Sequence, residues 1–459
     1  MHFSLSLVID IAQTSLPLQN TTLASSKARS FISCGLLRRI NGARRKSRGY
    51  RKVPGSSGSA PNDDVDRAFL FRYLTSEYGE EFWRTPLPIR LAIHCVLPLA
   101  LITAALAQDI VTDCDKYAAS RLDPQRKAAG IDLDKIDFSL AVPACEAAVR
   151  QFPDRMRLAY QLGRAYEKAN KLTAALEQYR KAADQNYAAA QLALAELYAA
   201  GQGVARDDQQ YIFWVRKAAD QGYAVAQDAL GYVYLEGRGM SKDDQQAAAW
   251  FRKAADQGYV PAQNKLGFLY QNGEGVEKDD YQAVAWFRKA ARQGFAPAQD
   301  RLGFIYQNGE GVPKDVQQAV AWFRKAADQG YAPSQDRLGF MYLNGEGIAK
   351  DEQQAVAWYR KAANQGYAFA QFSLGAMYAN GRGVPEDDQQ AVAWYRKAAE
   401  HGLPDAQYSL GLAYEAGRGV PQDLTLAMAW FRKAAEQGHK EAKTKLDELE
   451  AIQNANERH

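Results

Sequence analysis

The sequence predicts an all-α chain, a solenoid of stacked antiparallel helix pairs, and three observations carry that expectation. Seven of its eight tryptophans, Trp214, Trp250, Trp286, Trp322, Trp358, Trp394 and Trp430, stand 36 residues apart. Each interval holds two apolar patterns with helical spacing, separated by a G-x-G turn. Asp recurs with the same period at 207, 243, 279, 315, 351, 387 and 423, just ahead of the second pattern. Irregular glycine spacing and only 4 Cys exclude collagen and disulfide-knot classes. The formal charge, 57 Lys and Arg against 53 Asp and Glu, is too near balance for a nucleic-acid binder.

Residues 226–261 show the unit. Ala226 to Glu236 reads as a first helix, A, with Leu230, Val233 and Tyr234 three and four apart on one face. Gly237 follows the last periodic residue and Gly239 comes two later, the pattern of a left-handed helix end and a tight turn. Asp243 with Gln246 reads as a capping box that starts a second helix, B. Helix B runs to about Gln257, with Ala247, Trp250, Phe251 and Ala254 on its buried side, and Gly258 closes it. Gln follows the capping Asp by three residues in six of the seven copies, Leu426 being the exception.

Arg252 precedes Asp256 by four residues, and Arg216 with Asp220, Arg324 with Asp328, Arg396 with Glu400 and Arg432 with Glu436 repeat the pattern. That is the spacing of solvated helix-face pairs, worth ~0.2–0.5 kcal/mol each. A small residue in helix A, Ala195 and then Gly231, Gly267, Gly303, Gly339, Gly375 and Gly411, marks where helix B must approach closely. Ordering one unit costs more than its few apolar side chains return, so a unit must bury its face against the next. Cutting at Ala190 gives seven units over 190–441, with 442–459 left as a C-terminal capping helix.

The run A-x3-L-G-x2-Y-x2-G-x-G-V, followed by D-x2-Q-A-x2-W-[FY]-R-K-A-A-x-Q-G, resembles the Sel1-like repeat, a relative of the tetratricopeptide repeat. Upstream, Leu162, Gly163, Tyr166, Ala175, Tyr179 and Ala182 stand at tetratricopeptide intervals, and Ala141, Cys145, Ala148 and Pro153 fit half of another copy. Residues 138–189 therefore read as tetratricopeptide-like helices and 108–137 as an N-terminal capping segment. The resemblance implies a scaffold for protein–protein interaction, of a kind that bacteria often export. It also implies that helix A lines a concave groove. Tyr232, Phe268, Phe304 and Phe340 would furnish that groove with an aromatic ladder, beside Asp228, Asn264, Asp300 and Asp336, with Gln271, Gln307 and Leu343 on the other flank. Such a groove suits an extended or helical peptide with apolar anchors and basic neighbours. The competing reading packs the same rings into the core.

Residues 1–60 hold 10 Lys or Arg, 11 Ser and one acid, Asp10. Segment 1–83 reads as disordered or as lying upstream of the true translation start, with an organelle transit peptide the alternative. Arg84 and Arg90 precede the apolar run 91–104 and Ala105-Leu106-Ala107, so 84–107 has the anatomy of a signal peptide cleaved before Gln108, or of a signal anchor. The expected location is periplasmic or secreted, and the alternative is anchoring in the inner membrane, the one membrane contact foreseen. Beyond the signal, Cys114 and Cys145 form a pair open to one disulfide in an oxidising compartment, or to burial as two apolar thiols.

The search for chemistry yields no catalytic, cofactor or metal residues. His401, His439 and His459 have no second ligand at metal spacing, and neither G-x-S-x-G nor a P-loop occurs. His401 stands where the other units have Gln and reads as an exposed helix-end residue. The expected function is a non-enzymatic cell-envelope adaptor or regulator that binds a protein or peptide and no nucleic acid. The alternative, a β-lactamase-like or penicillin-binding enzyme, rests on cysteine-rich relatives with a Cys pair in each repeat, whereas 190–459 contain no Cys.

Overall fold

The computed structural model describes residues 111–456, so the segments 1–83 and 84–107 lie outside the described residues. Among the described residues there are 19 α-helices, one short 3-10 turn at Leu133–Lys135, and no strand. The N-terminal part comprises α1 (Asp113–Ala118), α2 (Phe138–Gln151), α3 (Met156–Lys168) and α4 (Leu172–Asp184). A and B helices then alternate as α5 (Ala188–Ala200), α6 (Asp208–Asp220), α7 (Ala224–Glu236), α8 (Asp244–Asp256), α9 (Val260–Asn272) and α10 (Asp280–Arg292). They continue as α11 (Ala296–Asn308), α12 (Val316–Asp328), α13 (Ala332–Asn344), α14 (Glu352–Asn364), α15 (Ala368–Ala379), α16 (Asp388–Glu400), α17 (Pro404–Ala416) and α18 (Leu424–Glu436), before α19 (Lys440–Asn456). No described helix is long and apolar enough to cross a membrane. Helix A begins two residues earlier than its apolar spacing suggests, at Ala224 in place of Ala226.

Each hairpin closes on one glycine. A Cβ on Gly231, Gly267 or Gly303 would lie 2.8, 2.7 or 2.5 Å from the ring of Phe251, Phe287 or Phe323, and these rings are wholly buried. Tyr359, Tyr395 and Phe431 occupy the same place against Gly339, Gly375 and Gly411. The first repeat shows the rule by its exception: the ring is replaced by Val215, and the facing position tolerates Ala195. Between repeats the second turn glycine does similar duty. Gly275 has φ 68°, and a side chain on it would meet the Asp244 carbonyl oxygen at 1.8 Å, in the first turn of the preceding helix B.

The tryptophans divide. Trp214, Trp286 and Trp358 are buried, but Trp250, Trp322, Trp394 and Trp430 are only partly so, and the neighbouring Phe or Tyr is the true centre of most hairpins. Every repeat Trp is instead sealed by the lysine three residues on, whose ammonium lies over its ring, at 3.4 Å for Lys289 on Trp286 and 4.0 Å for Lys325 on Trp322. The helix B arginines, among them Arg216, Arg324 and Arg396 of the expected pairs, also find other partners. Arg216, Arg288, Arg324, Arg360 and Arg396 donate to the tyrosine hydroxyl 18 residues ahead, in the next helix A. Arg432 reaches Glu450 at 2.7 Å in the same way. These side chains bridge repeats and do not pair along their own helix.

The capping Asp works as foreseen, but only half of the box forms. Asp243 accepts from the backbone N–H of Gln246 at 2.9 Å, while the Gln side chain makes no return bond to the cap. That is why Leu426 serves equally, its N–H donating to Asp423 at 2.9 Å. A different glutamine, buried near the start of helix A, carries the coupling. Gln263 Nε2 donates to the Ala255 carbonyl at the end of the preceding helix B, and its Oε1 accepts from Gln293 Nε2, 30 residues on. The same link runs from Gln191, Gln227, Gln299, Gln335 and Gln407. It fails once: His401 stands where Gln371 needs its donor, and the Gln371 Oε1 is buried without a partner.

The N-terminal end is differently made. A disulfide joins Cys114 in α1 to Cys145 in α2. Asp115 is wholly buried and takes two bonds from Arg157, at 2.7 and 2.8 Å, and a third from Gln161. Arg164 of α3 donates to the carbonyls of Ala118 and Ile131, fastening the segment between α1 and α2. Tyr187 reaches back to Asp123 at 2.6 Å.

Two stability predictions result. Phe323→Ala should cost about 3–5 kcal/mol, and Trp322→Ala less, because the phenyl ring is fully buried and the indole is not; urea unfolding orders the two. His401→Gln should restore the missing link and stabilise by about 0.5–1.5 kcal/mol. Thermal unfolding reads this gain, and hydrogen exchange should localise it to α15–α17.

Candidate functional site

The A helices place their repeating residues in rows, and one row is the aromatic ladder foreseen from the sequence. Tyr232 follows Gly231 directly, so the ring that fills the glycine's space also meets the ladder residue. Tyr232 lies edge-on to Phe251 with centroids 4.9 Å apart, Phe268 to Phe287 at 4.9 Å and Phe304 to Phe323 at 5.4 Å. The remaining surface stays open: Tyr232 is 37% and Phe340 41% exposed, and Phe268 and Phe304 are partly buried. The ladder is thus both core and surface.

Its flanks differ from expectation in charge. Asp228 is only 8% exposed, and Asp300 and Asp336 are partly buried, so this row presents little open carboxylate. Cations lie upon the ladder instead. Lys265 Nζ is 5.6 Å from the centroid of Tyr232, and the Arg337 guanidinium is 4.2 Å from that of Phe304. Arg301 is held by Gln271 and Glu310 at 3.0 and 2.8 Å, and Gln307 is held by Glu346. The carboxylates on this flank, Glu310 and Glu346, are thus already engaged by Gln271, Arg301 and Gln307.

The buried row has unmet bonding capacity. Oδ1 of Asp228, Asn264 and Asp336 is buried without a partner. In the same row, Asp300 Oδ1 accepts from Ser334, where the other copies carry Ala262, Ala298 and Ala370. Burial pushes the Asp228 carboxyl up to about 7, against a weaker lowering effect of Lys265, and the Asp336 carboxyl to about 6, with Arg337 opposing. The apolar spacing gave no sign of this, because burial depends on how the next hairpin covers each carboxyl.

An α-solenoid of hairpins with a continuous, partly apolar face is the form of a protein-interaction scaffold. The chain belongs to the Sel1 repeat family, whose pattern matches 155–187, 188–223, 224–259, 260–295, 296–331, 332–367, 368–403 and 404–439. The tetratricopeptide-like pair α3–α4 is thus counted as a further, shorter Sel1 repeat. It has its own glycine contact, Gly163 on Tyr179, and it ends each helix on an asparagine with positive φ, Asn170 and Asn186, where later units use glycine. Among solved structures, a Sel1 repeat protein from Oxalobacter formigenes is 33% identical, with 70% of this chain and 95% of that chain covered, and a TM-score of 0.54. A protective antigen with the same fold from uropathogenic Escherichia coli is 33% identical over 69% of this chain and 76% of its own, with a TM-score of 0.44. Cysteine-rich protein B of Helicobacter pylori is 28% identical over 28% of this chain and 92% of its own, with a TM-score of 0.24. No curated protein matches the chain.

The raised carboxyls predict a pH dependence. An aspartate with an ordinary value near 3.8 in the unfolded chain and about 7 when folded binds more protons in the folded state between those limits. Stability therefore falls as pH rises through that window. The urea midpoint should rise on going from pH 8 to pH 6, and the rise should shrink in the Asp228→Asn, Asp336→Asn double variant.

Proposed function

We propose that this chain is a non-enzymatic adaptor of the cell envelope that holds an extended or helical segment of a partner protein along the concave row of A helices. The observation that carries the proposal is the ladder of Tyr232, Phe268, Phe304 and Phe340: the first three rings rest edge-on against the hairpin cores, and part of each of the four stays open. Exposed rings on a rigid support lose little freedom on binding and bury much apolar area, the usual source of interface anchors. Later units carry Ala376 and Leu412 at this position without losing the fold, so the aromatic side chain is not a requirement of the hairpin. Periplasmic placement is supported by the Cys114–Cys145 bond, which belongs to an oxidising compartment, and by the signal-like segment 84–107.

The test is a triple variant, Phe268→Ala, Phe304→Ala and Phe340→Ala, used as bait for crosslinked envelope proteins. Capture of the partner should drop at least tenfold while circular dichroism still reports a folded, cooperatively melting array. Of the single variants, Phe340→Ala should lower the melting temperature least, since it is the most exposed of the three. Undiminished capture by the folded triple variant would refute the groove.

A further inference from the structure

At its N-terminal end the row of A helices meets the segment joining α1 to α2, and together they frame a half-open cavity of about 230 Å³. Leu192, Ala193 and Glu196 line it from α5, Tyr160 from α3, and Leu122 and Ile131 from the joining segment. Glu196 stands 36 residues before Tyr232, so the ladder begins with a carboxylate. The cavity therefore lies at the N-terminal end of the same row. Its shape is fixed by bonds already described, the disulfide and the Arg164 clasp.

Glu196 has no hydrogen bond and no ion pair among the described residues. The charged groups around the cavity do not supply one. From α3, Arg164 spends its N–H groups on the Ala118 and Ile131 carbonyls at 2.7 and 2.6 Å. Also from α3, Glu167 is itself acidic and accepts from the Tyr179 hydroxyl of α4 at 2.6 Å. From the joining segment, Arg121 donates to the Gly130 carbonyl and lies 3.5 Å from Asp132. The remaining titratable lining is the phenols of Tyr160 and Tyr223. The two guanidinium groups of the wall are thus engaged elsewhere, and the Glu196 carboxylate, open to solvent beside Leu192 and the phenol rings, has room for a cation brought by a ligand.

We infer that this cavity binds a primary ammonium group, carried on a lysine side chain or at a free N-terminus, of the segment that lies along the ladder. The inference rests on the groove reading above. The ammonium would bond Glu196, its aliphatic stem would lie along Leu192, and the phenol rings would face the charge. Glu196 itself is exposed to solvent on the cavity wall, but the groups crowding around it, and then the Glu167 charge, raise its carboxyl to about 7, so amine binding must weaken as pH falls below that value.

Saturation-transfer NMR on the full chain at pH 7.5 tests this with three small probes: Nα-acetyl-lysine methylamide, alanine methylamide and the neutral Nα-acetyl-norleucine methylamide. One amine should bind at least tenfold more tightly than the norleucine probe, and which one tells side chain from N-terminus. Glu196→Gln should weaken that amine about tenfold and abolish the further loss seen in the native chain between pH 7.5 and 5.5. Equal binding of the neutral probe, no binding of either amine, or amine binding indifferent to Glu196→Gln would each overturn the inference. These probes need the cavity alone, so the Phe268, Phe304 and Phe340 alanine variant should still bind the amine even if it no longer captures a partner. A failed groove and a failed cavity therefore give different results.

Discussion

Everything in the array depends on how closely helix A can approach helix B, and one missing side chain sets that distance. The helix A glycine admits a phenyl or phenol ring into space that its own Cβ would have filled. Close packing makes this approach nearly all-or-none, since a methyl group there has nowhere to go. The chain adjusts both partners together: Ala195 is accepted where the opposing side chain shrinks to Val215. The same contact determines the surface. The residue after the glycine is necessarily beside the buried ring, so an aromatic there is both propped by the core and presented to solvent. Fold and candidate site are two sides of one contact.

Much of this could be read from the sequence because the period repeats the evidence. Trp spacing gave the unit, Asp gave the start of helix B, and Gly gave its closest neighbour. What stayed hidden was direction. A sequence spacing of four residues suggested that Arg252 and its equivalents pair along their own helix, but a long side chain has several partners within reach, and tyrosines 18 residues ahead engage most of them. The capping glutamine was misread for a related reason, since its backbone N–H does the work and its side chain does not.

The buried glutamine of helix A left no readable sign, although it supplies a polar link between most successive repeats. Periodicity marks apolar faces, and a polar residue on such a face looks like an interruption until its two partners are placed around it. Gln263 is 4% exposed, with both ends of its amide bonded. His401 was noticed as a departure, but its effect falls on Gln371, thirty residues away. The burial of the Asp228 and Asp336 Oδ1 atoms was hidden likewise, because apolar spacing along one helix does not register what packs over a polar residue.

The two ends of the stack are not equivalent. One is closed by the Cys114–Cys145 bond and a buried Asp115–Arg157 pair, the other by α19, which lays Leu446 and Leu449 on the last hairpin. In a structure held together only by neighbours, such inequality gives the molecule a polarity under load. A force drawn along the chain peels hairpins from the α19 end, each released with the loss of one interface, while the cross-linked end resists longest. A partner held near that end would thus keep its seat while the far repeats lengthen and recoil, as a fixed reel holds its line.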